Sequence, residues 1–322
     1  MRRYVVSLLL ILLLSGELAG RAATADVLTS AGSMQMPFTI TDGAYAIWTG
    51  GKFVFVQDRF SAAPLFRFFD RNGTQISQFT LSIPGASLIN LYDNSVALGL
   101  DGSLAIVGTA YSDGSTGGMF VAWVSSDRQE QTIIRTSPFL PAAVTLASDG
   151  TIWVAGHDSN PQQKEGDYSQ RLIRRYDKTG KLLGSFIPWS ILATDRTTLP
   201  YAGSVLVPLK NGVGWYSLRS HTYVEFSSDG SVINRFKSAP HQEVRELSSV
   251  AVCDDGGLFA STRILSGGRQ TNWGIFTFDR QRGEWSLIPR NERWGMLFGC
   301  DGTRLATATD FKTISWLEPS VK

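Results

Sequence analysis

Residues 144–157 read "VTLASDGTIWVAGH": an apolar run, an Asp-Gly turn, a second apolar run and a terminal histidine. Near-copies recur as "VALGLDGSLAIVGT" at 96–109 and "VAVCDDGGLFASTR" at 250–263. Asp and Gly tolerate the positive φ that a tight hairpin demands, and the flanking runs supply its two strands. Aligned on the turn glycine, the hairpin appears at Gly51, Gly102, Gly150, Gly212, Gly256 and Gly302. An apolar residue stands six positions earlier as Tyr45, Val96, Val144, Val250 and Met296. In the fourth copy Val205 stands seven earlier, which predicts a one-residue insertion or bulge. A spacing of about 50 residues marks a repeat architecture.

A second type of hairpin alternates with the first. It reads "LFRFFDRNGTQISQFTL" at 65–81, "LIRRYDKTGKLLGSFI" at 172–187, "YVEFSSDGSVINRFK" at 223–237 and "IFTFDRQRGEWSLI" at 275–288, with a weaker copy at 120–135. Each unit is therefore four short antiparallel strands. Six such sheets bury their faces by stacking radially around an axis, so the expected fold is an all-β, six-bladed propeller over residues 26–322. Continuous apolar runs such as "FVFV" (53–56), "LAIV" (104–107) and "IWVA" (152–155) fit strands covered on both faces. A pair of packed sandwiches predicts no such repeat. The sixth first-type hairpin is followed only by "TISWLEP", one strand. The missing outer strand of the last blade is expected from residues 26–42, closing the ring.

The pattern of apolar run, "DG", apolar run and "F/Y-D-x-x-G" resembles the six-bladed propellers of the NHL and TolB-like kind. It is carried by Asp101-Gly102, Asp149-Gly150, Asp255-Gly256 and Asp301-Gly302, with Tyr176-Asp177 and Phe278-Asp279 in the second hairpins. The resemblance implies the fold and little about activity, because that fold hosts receptors, scaffolds, lactonases and lyases.

Residues 1–25 carry the layout of a secretory signal: the basic "MRR", the apolar "YVVSLLLILLL" and the small residues Ala23 and Ala25. The apolar run falls far short of the ~20 residues that span a bilayer, so no transmembrane segment is expected after cleavage. The whole chain has 30 basic and 28 acidic residues, and removing Arg2, Arg3, Arg21 and Glu17 leaves the two signs equal. A neutral mature chain lacks the basic footprint of a nucleic-acid binder. The expected location is periplasmic or extracellular, as a monomer. Cys253 and Cys300 are the only cysteines. An even count permits one bridge. They stand three and two residues before their glycines, however, which puts their side chains on opposite faces of their strands, so two separate buried thiols are expected.

All short turns fall at one end of the blades, and the connections of variable length gather at the other: 157–170, 188–203, 238–248 and 266–273. Loops on a rigid scaffold are where binding residues concentrate. The residue seven after each glycine ends the second strand at that face, and it is always polar: Asp58, Thr109, His157, Arg219, Arg263 and Thr309. These are the candidate ligand-binding residues, predicted to ring the channel mouth; polar strand ends meeting water are the plain alternative. Arg219, Arg263 and His157 would favour an anionic group, with Asp58 and the threonines adding orientation. The expected partner is a protein or a small polar or anionic ligand.

Enzyme chemistry stays open. By the resemblance, lyases of this kind hold a metal with histidines, but His157, His221 and His241 do not occupy equivalent, spaced positions, and no metal site is assigned. Lactonase-type propellers hold calcium with a carboxylate and asparagines; Asp58 has no matching asparagines in the aligned ring. The residues name no cofactor and no catalytic group. Trp153, Trp215 and Trp285 are read as strand packing, while Trp189, Trp273 and Trp294 lie in or beside variable loops and could form an aromatic platform. The leading reading is a binding module; the alternative is a metal-dependent lactonase-like hydrolase or a lyase.

Overall fold

Asp149 and Gly150 make the turn that the opening stretch predicts. Gly150 has φ 77°, and Asp149 Oδ1 accepts from the Thr151 backbone N–H at 3.0 Å and the Thr151 hydroxyl at 2.6 Å. Both the left-handed residue and the side-chain closure are what this pair of residue types supplies at a turn. The same device closes four further turns: Asp101 accepts from Ser103, Asp177 from Thr179 and Lys181, Asp255 from Gly257 and Asp279 from Gln281. The Thr179 hydroxyl donates to Asp177 at 2.7 Å and holds that carboxyl below its usual range. These aspartates are thus satisfied within their own turns, whereas Asp301 pairs with Arg71.

The computed structural model describes residues 27–37, 45–92, 94–113, 117–158, 171–188, 204–217, 222–237, 249–266, 269–289, 295–308 and 312–320. Its elements are all strands. The first, β1 (Val27–Gln35), precedes blade 1, made of β2 (Tyr45–Thr49), β3 (Lys52–Gln57), β5 (Leu65–Asp70) and β6 (Gln75–Thr80); the two-residue strand β4 (Phe60–Ser61) lies between β3 and β5. Blade 2 comprises β7 (Leu88–Asn90), β8 (Val96–Leu98), β9 (Leu104–Tyr111), β10 (Gly118–Val124) and β11 (Gln131–Arg135). Blade 3 is β12 (Phe139–Leu146), β13 (Ile152–Asp158), β14 (Arg171–Tyr176) and β15 (Leu182–Pro188). Blade 4 is β16 (Ser204–Leu209), β17 (Gly212–Ser217), β18 (Thr222–Ser227) and β19 (Val232–Lys237). Blade 5 is β20 (Ser249–Val252), β21 (Leu258–Ser266), β22 (Arg269–Asp279) and β23 (Glu284–Leu287). Blade 6 is β24 (Leu297–Asp301), β25 (Arg304–Ala308), β26 (Thr313–Ser320) and, as its outer strand, β1.

The six-bladed propeller is therefore closed as expected, with β1 antiparallel to β26 from Val27↔Ser320 to Gln35↔Thr313. The first strands β2, β8, β12, β16, β20 and β24 each touch the first strands of both neighbours, in an unbroken cycle around the axis. Apolar burial is divided among the six seams between blades. Phe66 and Phe68 of blade 1 pack with Leu104 and Ile106 of blade 2, and Trp153 of blade 3 packs with Trp215 and Phe226 of blade 4. Trp153, Trp215 and Trp285 are all buried, as their strand positions predict. β17 is buried along its whole length and β9 along all but its last residue, because each is covered on both faces. The outer strand β19 is almost wholly exposed.

Three expectations need correction. Cys253 and Cys300 form a disulfide, with Cα atoms 5.2 Å apart, joining blades 5 and 6. Opposite orientation on equivalent strands is what such a bridge requires: the face one blade turns to its neighbour meets the opposite face of that neighbour. Blade 4 has no inserted bulge in its first hairpin; Lys210-Asn211 form a two-residue turn and Gly212 has moved into β17, opposite Leu209. Blade 2 exceeds four strands. Its first strand is broken into β7 and β8, both paired with β9, and β4 adds to the far edge of β7.

The tight-turn pole is also stitched between blades, by a cation that follows the turn aspartate of the second hairpin. Arg128 lies 3.8 Å from the Phe68 ring centroid of blade 1 and donates to the Gly102 and Ser125 carbonyls, each at 2.8 Å. Arg280 of blade 5 pairs with the buried Glu225 of blade 4 and donates to the Gly256 carbonyl at 3.0 Å. Arg71 of blade 1 pairs with Asp301 of blade 6 at 2.6 Å, and Lys178 of blade 3 sits 5.9 Å from the Trp123 ring of blade 2. Cations over aromatic faces contribute about 0.5–2 kcal/mol, more when desolvated.

Candidate functional site

Those candidate residues that are described, Asp58, Thr109, His157 and Arg263, lie on or just past the second strands of their blades. Asp58 lies just past β3, exposed, with φ 55°. Thr109 does not end its strand: β9 runs on to Tyr111, and the Thr109 hydroxyl is buried, bonded to the Tyr92 hydroxyl and donating to Met119 Sδ at 3.1 Å. His157 lies within β13, opposite Leu140, and is half-buried. Arg263 is also internal, paired with Trp273 in a hairpin that continues to Ser266↔Arg269. Arg219 and Thr309 lie outside the described residues, as do His221, His241, Trp189 and Trp294.

Alternation along the strands places two of these residues in different seams. Thr109 shares a face with Val107, which packs towards blade 3, and His157 shares a face with Ala155, which packs towards blade 4. Each looks towards the next blade rather than into one common mouth. Burial pulls the His157 imidazole down to about 4 against the opposing charge of Asp158, so it is neutral at neutral pH. Among the described residues, no group of three or more His, Cys, Asp or Glu side chains is placed to hold a metal ion.

Among the described residues, the seam between blades 2 and 3 carries a polar cluster at the variable-loop pole. On the blade 2 side stand Asn90, Tyr92, Thr109 and Met119. Asn90 and Met119 are both directly opposite Thr109 in the ladder, so the three side chains form a row on one face. On the blade 3 side, Arg174 lies 4.1 Å from the Phe139 ring centroid, and its Nη2 donates to Asp158 Oδ1 at 2.7 Å. Gly156 makes room for this ring: a Cβ there would stand 2.7 Å from Phe139 Cζ and would overlap the Leu140 carbonyl oxygen. Thr136 ties the walls together, its N–H bonded to the Met119 carbonyl at 3.1 Å and its hydroxyl to the Phe139 carbonyl at 2.9 Å. Burial raises the Tyr176 phenol beside this ion pair, so it remains a neutral donor.

This arrangement provides fixed hydrogen-bond donors and acceptors next to aromatic surface, the composition of a recognition site. Arg174 and Asp158 were not among the sequence candidates. The signal for them was present in "HD" at the end of β13 and "RR" in β14, but strand pairing was needed to show that the second and third strands of one blade bring them together.

No family model matches the chain, and no curated protein matches it. Solved structures do. A protein from Bacteroides fragilis, described as a candidate exported protein, superposes with a TM-score of 0.56 at 10% identity, covering 92% of this chain and 97% of that one. A protein of unknown function from Bacteroides thetaiotaomicron gives a TM-score of 0.51 at 12% identity, covering 93% and 74%. A streptogramin B lyase covers 91% of this chain and 98% of its own at 14% identity, with a TM-score of 0.47. At these identities the first two likenesses establish a shared propeller fold and nothing further about function.

Proposed function

We propose that this protein is an exported binding module that takes a protein or a small polar or anionic ligand on its variable-loop face. The division between the two poles carries the reading. At the tight-turn pole the carboxylates are closed into their turns or paired across blades, and the cations are spent on neighbouring blades. At the loop pole, half-buried polar groups such as His157, Asp158 and Arg174 are held on strands joined by connections of variable length. Export is supported by the signal-like residues 1–25 and by the Cys253–Cys300 disulfide, since such bonds persist in oxidising compartments. Among the described residues no helix is long and apolar enough to cross a membrane.

Native mass spectrometry of mature protein purified from its source would reveal a retained ligand. Replacing Arg219 and Arg263 by alanine is expected to remove that ligand without changing the melting temperature; full retention would sink the assignment of those residues. Residues 1–25 fused to a reporter phosphatase that is active only outside the cytoplasm should confer activity, and a silent fusion would sink the export reading.

A further inference from the structure

β4 is the one segment among the described residues that pairs on the axial side of a blade's innermost strand. The ladder runs β9, β7, β4, and β7 forms the loop-side half of blade 2's first strand. The connection between β3 and β5 is therefore drawn out of blade 1 and strapped along the axial edge of blade 2's first strand, at the loop-side mouth. Asp58 turns the chain into this path with φ 55°, a left-handed conformation that Asp tolerates better than most residues. Phe60↔Asn90, Ser61↔Ile89 and a bond of 2.9 Å from the Leu91 N–H to the Arg59 carbonyl fix the strap.

The strap holds one aromatic ring in solvent. Phe60 is 63% exposed, and among the described side chains no other aromatic is mostly exposed. It lies directly opposite Asn90, so it extends the row of Asn90, Thr109 and Met119 on the face turned towards blade 3. The row is neutral: a flat ring, an amide, hydroxyls and a thioether. Across the seam, Asp158 and Arg174 offset each other's charge.

We infer that Phe60 and Asn90 form a carbohydrate-binding subsite at the axial mouth, in which the flat C–H face of a neutral sugar ring lies on Phe60 and its hydroxyls bond to the Asn90 amide. A free anion gains no net charge from this row. A saccharide ring supplies both things the row offers to meet: an apolar face and neutral groups that donate and accept. Rigid aromatic rings give contact area at low entropy cost, and a few placed polar groups set orientation. The inference rests on the loop-face binding reading and names its ligand class.

The test uses mature protein with maltotriose, cellotriose and chitotriose as probes in saturation-transfer NMR. Transfer to at least one of them is expected. Phe60→Ala and Asn90→Ala should each cut the affinity at least tenfold with an unchanged melting temperature, since neither side chain is a core residue. Absence of transfer to all three sugars, or binding by Phe60→Ala within twofold of the parent, overturns the subsite. A polyglutamate peptide that binds and is lost on Arg263→Ala, with no sugar response, would overturn the subsite while leaving the loop-face reading standing.

Discussion

The two poles of this propeller are made from the same strands and solve opposite problems. At the tight-turn pole every connection is short, and carboxylates, backbone N–H groups and cations are consumed in holding turns and neighbouring blades together. At the loop pole the connections vary, Asp58 and Asn94 adopt positive φ, and polar groups are held half-buried. One end of a blade can be built for persistence only if the other is free to vary. The lesson is that a repeated residue type, such as the Asp-Gly pair, reports architecture, whereas departures from the repeat, such as β4 and the extended β21–β22 hairpin, report use.

The largest effect should come from opening the ring. Deleting residues 27–35 removes β1, leaves β26 as an unpaired edge and uncovers Trp316 and its neighbours in the seam with blade 1. Loss of a single cooperative melting transition in circular dichroism is the expected result; unchanged melting would place the closure elsewhere. Next is the disulfide, which cross-links blades 5 and 6. Reduction, or replacement of both Cys253 and Cys300 by alanine, should cost about 2–4 kcal/mol in urea unfolding. Thiol titration of the unfolded, unreduced protein should find no free thiol, and two reactive thiols would refute the bridge.

The comparison of poles is sharpened by single substitutions. Arg128→Ala removes a cation over Phe68 and two bonds to carbonyls, and should destabilise by about 1–2 kcal/mol. Asp58→Asn at the loop pole should stay within about 0.5 kcal/mol of the parent, because Asp58 is exposed and Asn tolerates the same left-handed φ. Equal losses from the two would erase the distinction between the poles.

Acidification gives the subtlest test. His157 binds its proton only near pH 4 when folded, against 6.5 for the free side chain. As pH falls below 6.5 the unfolded chain takes up the proton first, so native stability declines until pH 4 and is unaffected by this group above 6.5. Allowing for partial exposure of the ring, the wild type should lose about 1–2 kcal/mol more than His157→Gln across that window. Parallel pH profiles for the two proteins would show that the imidazole is not held neutral by burial.

Blade number, turn positions and ring closure were legible because they rest on local rules. An Asp-Gly pair between apolar runs specifies its hairpin wherever it occurs, and a last blade short of one strand must borrow it from the other terminus. The cation stitches were half-legible: Asp70-Arg71, Asp127-Arg128, Asp177-Lys178 and Asp279-Arg280 recur in register, yet their aromatic and acidic partners belong to the preceding blade. The candidate ring was legible as a set of equivalent positions and illegible in its outlook, because which face of a strand meets which neighbour depends on the handed stacking of sheets.

By itself, then, the sequence determined the repeat, its turns and the strand that completes the last blade, all of which follow from short-range backbone preference and the period of apolar residues. Only the tertiary structure decided that Cys253 reaches Cys300, that Arg174 meets Asp158, and that Phe60 is carried from blade 1 to the axial edge of blade 2. Those contacts join segments remote in the chain or offset between blades, and their geometry exists only once six sheets have been set around a common axis.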